Sequence, residues 1–118
     1  MAEHLEQGKT AEDKALSYLQ RHGLRLLQRN YRSRGGEIDL IMQQAETLVF
    51  VEVRYRKSSR FGSAAESVTA AKQHKLLNTA SHFLQQRGMD APCRFDVVGI
   101  SGSHQTEIEW IRDAFQAH

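Results

Sequence analysis

The sequence predicts an α/β domain, a mixed central sheet flanked by two helices. Three observations carry this. Apolar residues recur at helical spacing in two separated stretches, around Ala11–Leu19 and Leu76–Leu84. Short runs rich in β-branched and aromatic residues, IDLIM, LVFVEV and RFDVVGI, lie between and after them. The second helix separates the last two of these runs, the arrangement that lets their strands pair in parallel. A chain of 118 residues suits one domain with a modest core.

Residues 1–9 are polar and predict a flexible amino-terminal segment, leaving 10–118 as the single domain. Thr10 is placed to cap the first helix, with Asp13 three residues on. Ala11, Ala15, Leu16 and Leu19 form its apolar stripe, and Gly23 ends it. Glu12 borders that stripe, and an acid in a first helical turn is favoured by the helix dipole. Leu24–Tyr31 predicts a strand, and Ser33-Arg34-Gly35-Gly36 a turn. Two further strands are expected at about Glu37–Met42 and Leu48–Arg56. Arg56–Ala65 is polar, basic and rich in small residues, a loop composition. The second helix is expected over Lys72–Arg87, closed by Gly88. Lys72 and Lys75 lie near its start, where the dipole disfavours cations and an anionic partner would favour them. Arg94–Ile100 predicts a buried strand, and Glu107–Ile111 an edge strand.

The balance of 40% hydrophobic and 25% charged residues is that of an ordinary globular chain, and the net charge of +2 does not by itself point to nucleic acid. One cysteine, Cys93, excludes an internal disulfide and a cysteine zinc cluster. The absence of an apolar h-region and of a membrane-length apolar run makes a soluble, cytoplasmic protein the expectation. The six histidines lack metal-ligand spacing, and Gly35-Gly36 lacks the other residues of a phosphate loop.

The stretch Gly36–Arg56 carries the chemistry. Glu37, Asp39, Glu52 and Arg54 interrupt apolar runs, and buried charges need pairing or a metal. A hairpin turning between Ala45 and Glu46 sets Asp39 opposite Glu52, Glu37 opposite Arg54 and Ile41 opposite Phe50. Facing carboxylates repel, so the pair calls for a cation. Arg54 is one candidate, which gives a plain ion-pair network. A divalent Mg²⁺ or Mn²⁺ held by hard oxygen ligands is the other.

The motifs GEIDLI and VFVEVR, the upstream G-x-x-A-E of Gly8–Glu12, RNYRSRGGEIDLI, VTAAKQHKL and RFDVVGI resemble the UPF0102 family. That family is related to Holliday-junction resolvases within the PD-(D/E)xK nuclease superfamily, and the resemblance runs from Gly8 to Phe115. It implies a restriction-endonuclease-like αβββαβ core and a metal-dependent endonuclease or nucleic-acid-processing protein acting on DNA, with branched or flapped DNA among the substrates. It implies that Asp39, Glu52 and Glu12 bind Mg or Mn. It sets Arg54 where the catalytic lysine usually stands, so the catalytic set is Asp39, Glu52, Arg54 and Glu12. Arginine is always protonated and cannot act as a base, though it can hold a phosphate. Resolvase-like relatives also imply a homodimer, for which the edge strand around Trp110 is a candidate interface.

Arg29, Arg32, Arg34, Arg56, Lys57, Arg60, Lys72 and Lys75 flank the site in sequence and are candidate phosphate contacts, with Tyr31, Tyr55 and Phe61 as stacking aromatics. Two other readings stand beside the nuclease. One is a catalytically weak nucleic-acid-binding module of the same fold, motivated by Arg54. The other is a structural or protein-interaction domain in which the acids form only ion pairs.

Overall fold

The computed structural model describes residues 2–58 and 62–116. The elements are α1 (Ala2–Arg21), β1 (Arg25–Ser33), β2 (Gly36–Gln44), β3 (Thr47–Arg56), a 3₁₀ turn (Ala65–Ser67), α2 (Ala70–Arg87), β4 (Cys93–Ser101) and β5 (Glu107–Phe115). The strands form one sheet in the order β1-β2-β3-β4-β5. Only β3 and β4 run parallel, and α2 makes the crossover between them. This is the expected αβββαβ order with β5 added at the edge. No helix among the described residues is long and apolar enough to cross a membrane.

Helix α1 starts at Ala2 rather than at Thr10, so the expected flexible segment 1–9 is helical from its second residue. Glu, Leu, Gln and Lys dominate it, all good helix formers, and the single Gly8 costs only about 1 kcal/mol. Thr10 is consequently inside the helix and not its cap. Glu12 lies in its middle, so the dipole account of that acid does not apply. At the other end Gly23, at φ 89°, takes the left-handed conformation. The Gly23 and Leu24 amides donate to the Gln20 and Leu19 carbonyls and close the helix.

Each helix covers one face of the sheet. Ala11, Ala15 and Leu19 of α1 pack on Leu40, Met42, Val49, Val51 and Val98. Leu76, Ala80 and Phe83 of α2 pack on Ile38, Ile41, Phe50, Phe95 and Val97. The Phe50 and Phe83 rings meet edge to face at 6.1 Å. Helix α2 is capped by Thr69, whose Oγ1 accepts from the Lys72 amide at 3.1 Å, and ends at Gly88 with φ 60°.

The register of the central hairpin is the one its turn predicts. Leu40 pairs with Val51, Ile41 with Phe50 and Met42 with Val49 around a two-residue turn in which Ala45 has φ 52°. The ladder then stops at Leu40 and Val51. Strand β2 continues toward Gly36 paired only to β1, while β3 continues to Arg56 paired only to β4. The sheet therefore forks at Asp39 and Glu52.

Strand β5 runs to Phe115, beyond the expected Ile111. Its far half is held by the fully buried Asp96. The Asp96 carboxylate accepts from Trp110 Nε1 at 2.9 Å, the Asp113 amide at 2.9 Å and Arg94 Nε at 3.1 Å. These bonds span a bulge at which Asp113 has φ 50°.

Candidate metal and phosphate site

The fork brings three elements together. With no β2 partner beyond Val51, the Val53 amide of β3 donates to Asp39 Oδ2 at 2.8 Å. The carboxylate thus takes the place of a strand carbonyl and lies between the diverging strands. Glu52, 5% exposed, is its immediate neighbour. The ion pairs of Glu52 all fall on Oε2: Arg54 Nη2 lies 3.2 Å away and Lys72 Nζ, from the first turn of α2, 3.8 Å away.

Asp39 has no such partner. Among the described residues no lysine or arginine lies within ion-pair distance of it. Burial raises its carboxyl to about 8, and the neighbouring charge of Glu52 pushes the same way against the Val53 hydrogen bond.

A cleft of about 270 Å³ opens over Asp39, lined by Gly8, Glu12, Asn30, Glu37, Val53 and Tyr55 among others. Glu12 and Asp39, 27 positions apart in sequence, thus share one pocket, and the charge of Glu12 adds to the shift at Asp39. Glu12 is already occupied on one oxygen. Its Oε1 accepts from Arg29 at 2.9 Å and from Asn30 Nδ2 at 3.2 Å, and Arg29 also bridges to Asp13 at 2.8 Å. A second cleft on the far side of Glu12 is lined by Lys9, Arg29, Asn30 and Arg32.

The donor set suits a small hard cation. Two adjacent carboxylates, one of them without a cation, with an open cleft on one side, offer hard oxygen donors of the kind Mg²⁺ or Mn²⁺ takes, with room for water. The three expected ligands do not stand as a ready cage: among the described residues no group of three His, Cys, Asp or Glu side chains surrounds one ion position. Glu12 would reach an ion through its other oxygen or through water.

One expected pairing changes. Glu37 does not face Arg54, because the strands have separated before that level. Its carboxylate lies 3.7 Å from Arg32 on the neighbouring β1, and Arg54 turns to Glu52 on its own strand. Of the plain network of Glu37, Asp39, Glu52 and Arg54, only the Arg54–Glu52 ion pair forms; Glu37 pairs with Arg32, and Asp39 has no cation.

The basic residues divide. Gly36 presses the β1–β2 turn onto α2, where a Cβ at this position would lie 3.3 Å from Thr79 Oγ1 and 3.6 Å from Lys75 Cβ. Arg34 in that turn and Lys75 beside it are exposed, and Lys72, about one turn earlier on α2, is half-buried. Arg32 is 77% exposed on the side chain. Arg56 points elsewhere: its Nη1 donates to the Gly62 carbonyl at 2.8 Å and its guanidinium lies 4.0 Å from Glu109. Lys57 is exposed at the end of β3. Arg60 and Phe61 lie outside the described residues. Tyr31 is committed to Phe83 and His82, and Tyr55 lines the cleft over Asp39.

Three contacts escaped the sequence reading. Arg29 was read as one of the basic residues flanking the site, and nothing local tied it to Glu12. Lys72 was read as a phosphate contact, and nothing in its spacing pointed to Glu52. Asp96 lies in an apolar run with the same look as Asp39, but its donors fully satisfy it.

A family model described as "Uncharacterised protein family UPF0102" matches residues 11–100. A UPF0102 protein of Nitrosomonas europaea is 58% identical over 108 residues, 92% of each chain. A UPF0102 protein of Nitrosococcus oceani is 54% identical over 118 residues, 98% of this chain and 95% of the relative. One of Saccharophagus degradans is 56% identical over 117 residues, 98% and 97%.

Proposed function

The chain belongs to the UPF0102 family, and on that premise we propose that it is a divalent-metal-dependent nuclease acting on DNA, with branched or flapped DNA as its substrate class. The observation that carries the reading is the Asp39–Glu52 pair at the fork. Two neighbouring carboxylates in a mostly apolar hairpin destabilise the apo fold, and only one of them has cations. A site of this kind is poised to exchange a proton for a metal ion.

In this reading Asp39 and Glu52 hold Mg²⁺ or Mn²⁺, and Glu12 completes the shell from α1. Such an ion lowers the pKa of bound water and offsets charge on a phosphoryl group. The protein's own groups do the rest. Arg54 and Lys72 lie beside Glu52 and counter the charge of a phosphodiester approaching over it. Arg32, Arg34 and Lys75 hold the flanking backbone, giving salt-dependent binding with little sequence preference. Hydrolysis adds a water oxygen to phosphorus, breaks one P–O ester bond and leaves a proton on the departing alcohol. A catalytically weak nucleic-acid-binding module of the same fold draws on one feature, arginine at position 54, and Arg54→Lys raising a weak cleavage rate would support it.

The test is cleavage of branched, flapped, single- and double-stranded DNA in Mn²⁺ against EDTA. Cleavage that needs the metal and is lost in Asp39→Ala is the expected result. No cleavage of any form, or cleavage undiminished in Asp39→Ala, overturns the reading.

A further inference from the structure

We infer that the cavity at the far end of β3 and β4, walled by Arg56, Ser101 and the β5 residue Glu109, is a pocket for one unpaired base of a bound DNA strand, guanine fitting best of the four. That the ligand is DNA rests on the nuclease reading above. The pocket's choice among bases rests on its own groups.

The cavity holds about 410 Å³, within the range of small-ligand pockets. Gly99 makes room for its wall. A Cβ at that position would lie 2.5 Å from the Ala64 Cβ, so the bare backbone of β4 lets the segment from Gly62 to Ala64 close down on the sheet. The Ala64 amide then donates to Glu109 Oε1 at 3.0 Å, and Arg56 Nη1 donates to the Gly62 carbonyl at 2.8 Å. Beside them Ser101 Oγ donates to Glu107 Oε2 at 3.2 Å. The lining is therefore held in place by its own hydrogen bonds.

Two groups remain unused. Glu109 Oε2 has no partner among the described residues. Arg56 Nη2 lies 4.0 Å from Glu109 Oε1, beyond hydrogen-bond length, and unlike the enclosed Nε of the same side chain it is not shut away from the cavity. The pocket thus offers a carboxylate acceptor next to a guanidinium donor.

Phosphate does not suit this lining, because Glu107 and Glu109 outnumber Arg56. A cationic side chain from a protein partner would meet Arg56. The complement is a neutral group with N–H donors beside a carbonyl. Guanine alone among the four bases sets two N–H groups side by side, N1–H and the 2-amino group, with O6 next to them. The carboxylate takes the first two and the guanidinium the third. A paired base has that edge occupied, so the pocket selects an unpaired one, which a flap or branch supplies. Glu52 and Arg56 stand four residues apart on one face of β3, about 13 Å, or roughly four stacked nucleotides. A strand crossing the fork therefore reaches the pocket, and a base seated there fixes which phosphate lies at Asp39 and Glu52.

The experiment measures binding of flapped duplexes in Ca²⁺ by fluorescence anisotropy. The flap is oligo-dT, with a single dG moved along it one position at a time. With dG at one position the wild-type protein should bind about tenfold tighter than with the all-dT flap. Deoxyinosine at that position, which lacks only the 2-amino group, should lose most of the gain. Glu109→Gln keeps an oxygen for the Ala64 amide and should abolish the dG preference, with affinity for the all-dT flap unchanged. Equal affinity for every flap in the wild-type protein overturns the inference. So does a dG preference kept in a folded Glu109→Gln, and so does deoxyinosine bound as tightly as dG, a result that needs no altered protein. A dG preference lost in Glu109→Gln, with no cleavage in Mn²⁺, removes the nuclease and leaves the pocket. Metal-dependent cleavage with equal affinity for every flap leaves the nuclease and removes the pocket.

Discussion

Replacing Asp39 with asparagine should change how stability depends on pH, and the size of the change follows from the site. Asparagine keeps the shape and an oxygen acceptor for the Val53 amide, which bonds Asp39 at 2.8 Å. It removes the group that titrates. The Asp39 carboxyl is raised from 3.8 to about 8 in the folded protein, chiefly by burial and secondly by Glu52. Between these values the folded state holds a proton that the unfolded state has lost. The group's stabilising contribution is therefore complete below the unfolded value and disappears as pH rises through the folded one. Over that window each pH unit costs about 1.4 kcal/mol. For a chain of this size that is roughly 5 °C in melting temperature per unit. Thermal melts in EDTA from about pH 5.5 to pH 8 should show wild-type stability falling relative to Asp39→Asn by about that slope. Saturating Mn²⁺ should flatten the wild-type curve, because the ion replaces the proton. Calorimetry in buffers of different ionisation enthalpy should record close to one proton released per ion bound at neutral pH. Parallel melting curves for the two proteins, in the absence of metal, would refute the reasoning.

Two further outcomes test the frame around the site. Asp96→Ala should destabilise the protein by about 3–5 kcal/mol, because it strips partners from Arg94, Trp110 and the Asp113 amide in a fully buried position; chemical denaturation measures it, and a loss below 1 kcal/mol would show the network to be dispensable. Gly99→Ala should cost about 1–3 kcal/mol, since its Cβ would lie 2.5 Å from the Ala64 Cβ; Ala64→Gly in the same chain should restore most of the loss.

Much of this was legible in the sequence, and the limits have physical causes. The hairpin register was readable because alternation and a two-residue turn fix it, and Leu40, Ile41 and Met42 meet the partners that the turn dictates. The same arithmetic failed three residues before Leu40, in the pairing of Glu37 with Arg54. A register rule assumes that two strands stay together, and nothing local in GEIDLI announces where they part. The parting depends on β1 and β4, each of which keeps its own neighbour. Glu12 was readable as a site residue only through the family resemblance. Its partners Arg29 and Asn30 come from a strand 17 and 18 positions away, and the helix around it begins earlier than its capping pattern suggests. Lys72 could not be tied to Glu52 from spacing, because the crossover helix that delivers it is positioned by Phe83 and Leu76 against the sheet. Asp96 and Asp39 both look like acids misplaced in apolar runs. What separates them is the supply of donors, which comes from Trp110 and a bulged amide in one case and is short of a cation in the other.

The fork has an engineering consequence. The hairpin of β2 and β3 is closed at Ala45 and Glu46, both exposed, and open at Asp39 and Glu52. About five residues of paired strand, on the order of 17 Å, separate the closed tip from the open end. The tip works as a handle and the open end as the jaw. A fluorophore, an affinity tag or a short inserted loop between Ala45 and Glu46 would ride on the rigid, fully paired part of the hairpin, so metal uptake and nucleic-acid capture could be followed on an otherwise intact protein.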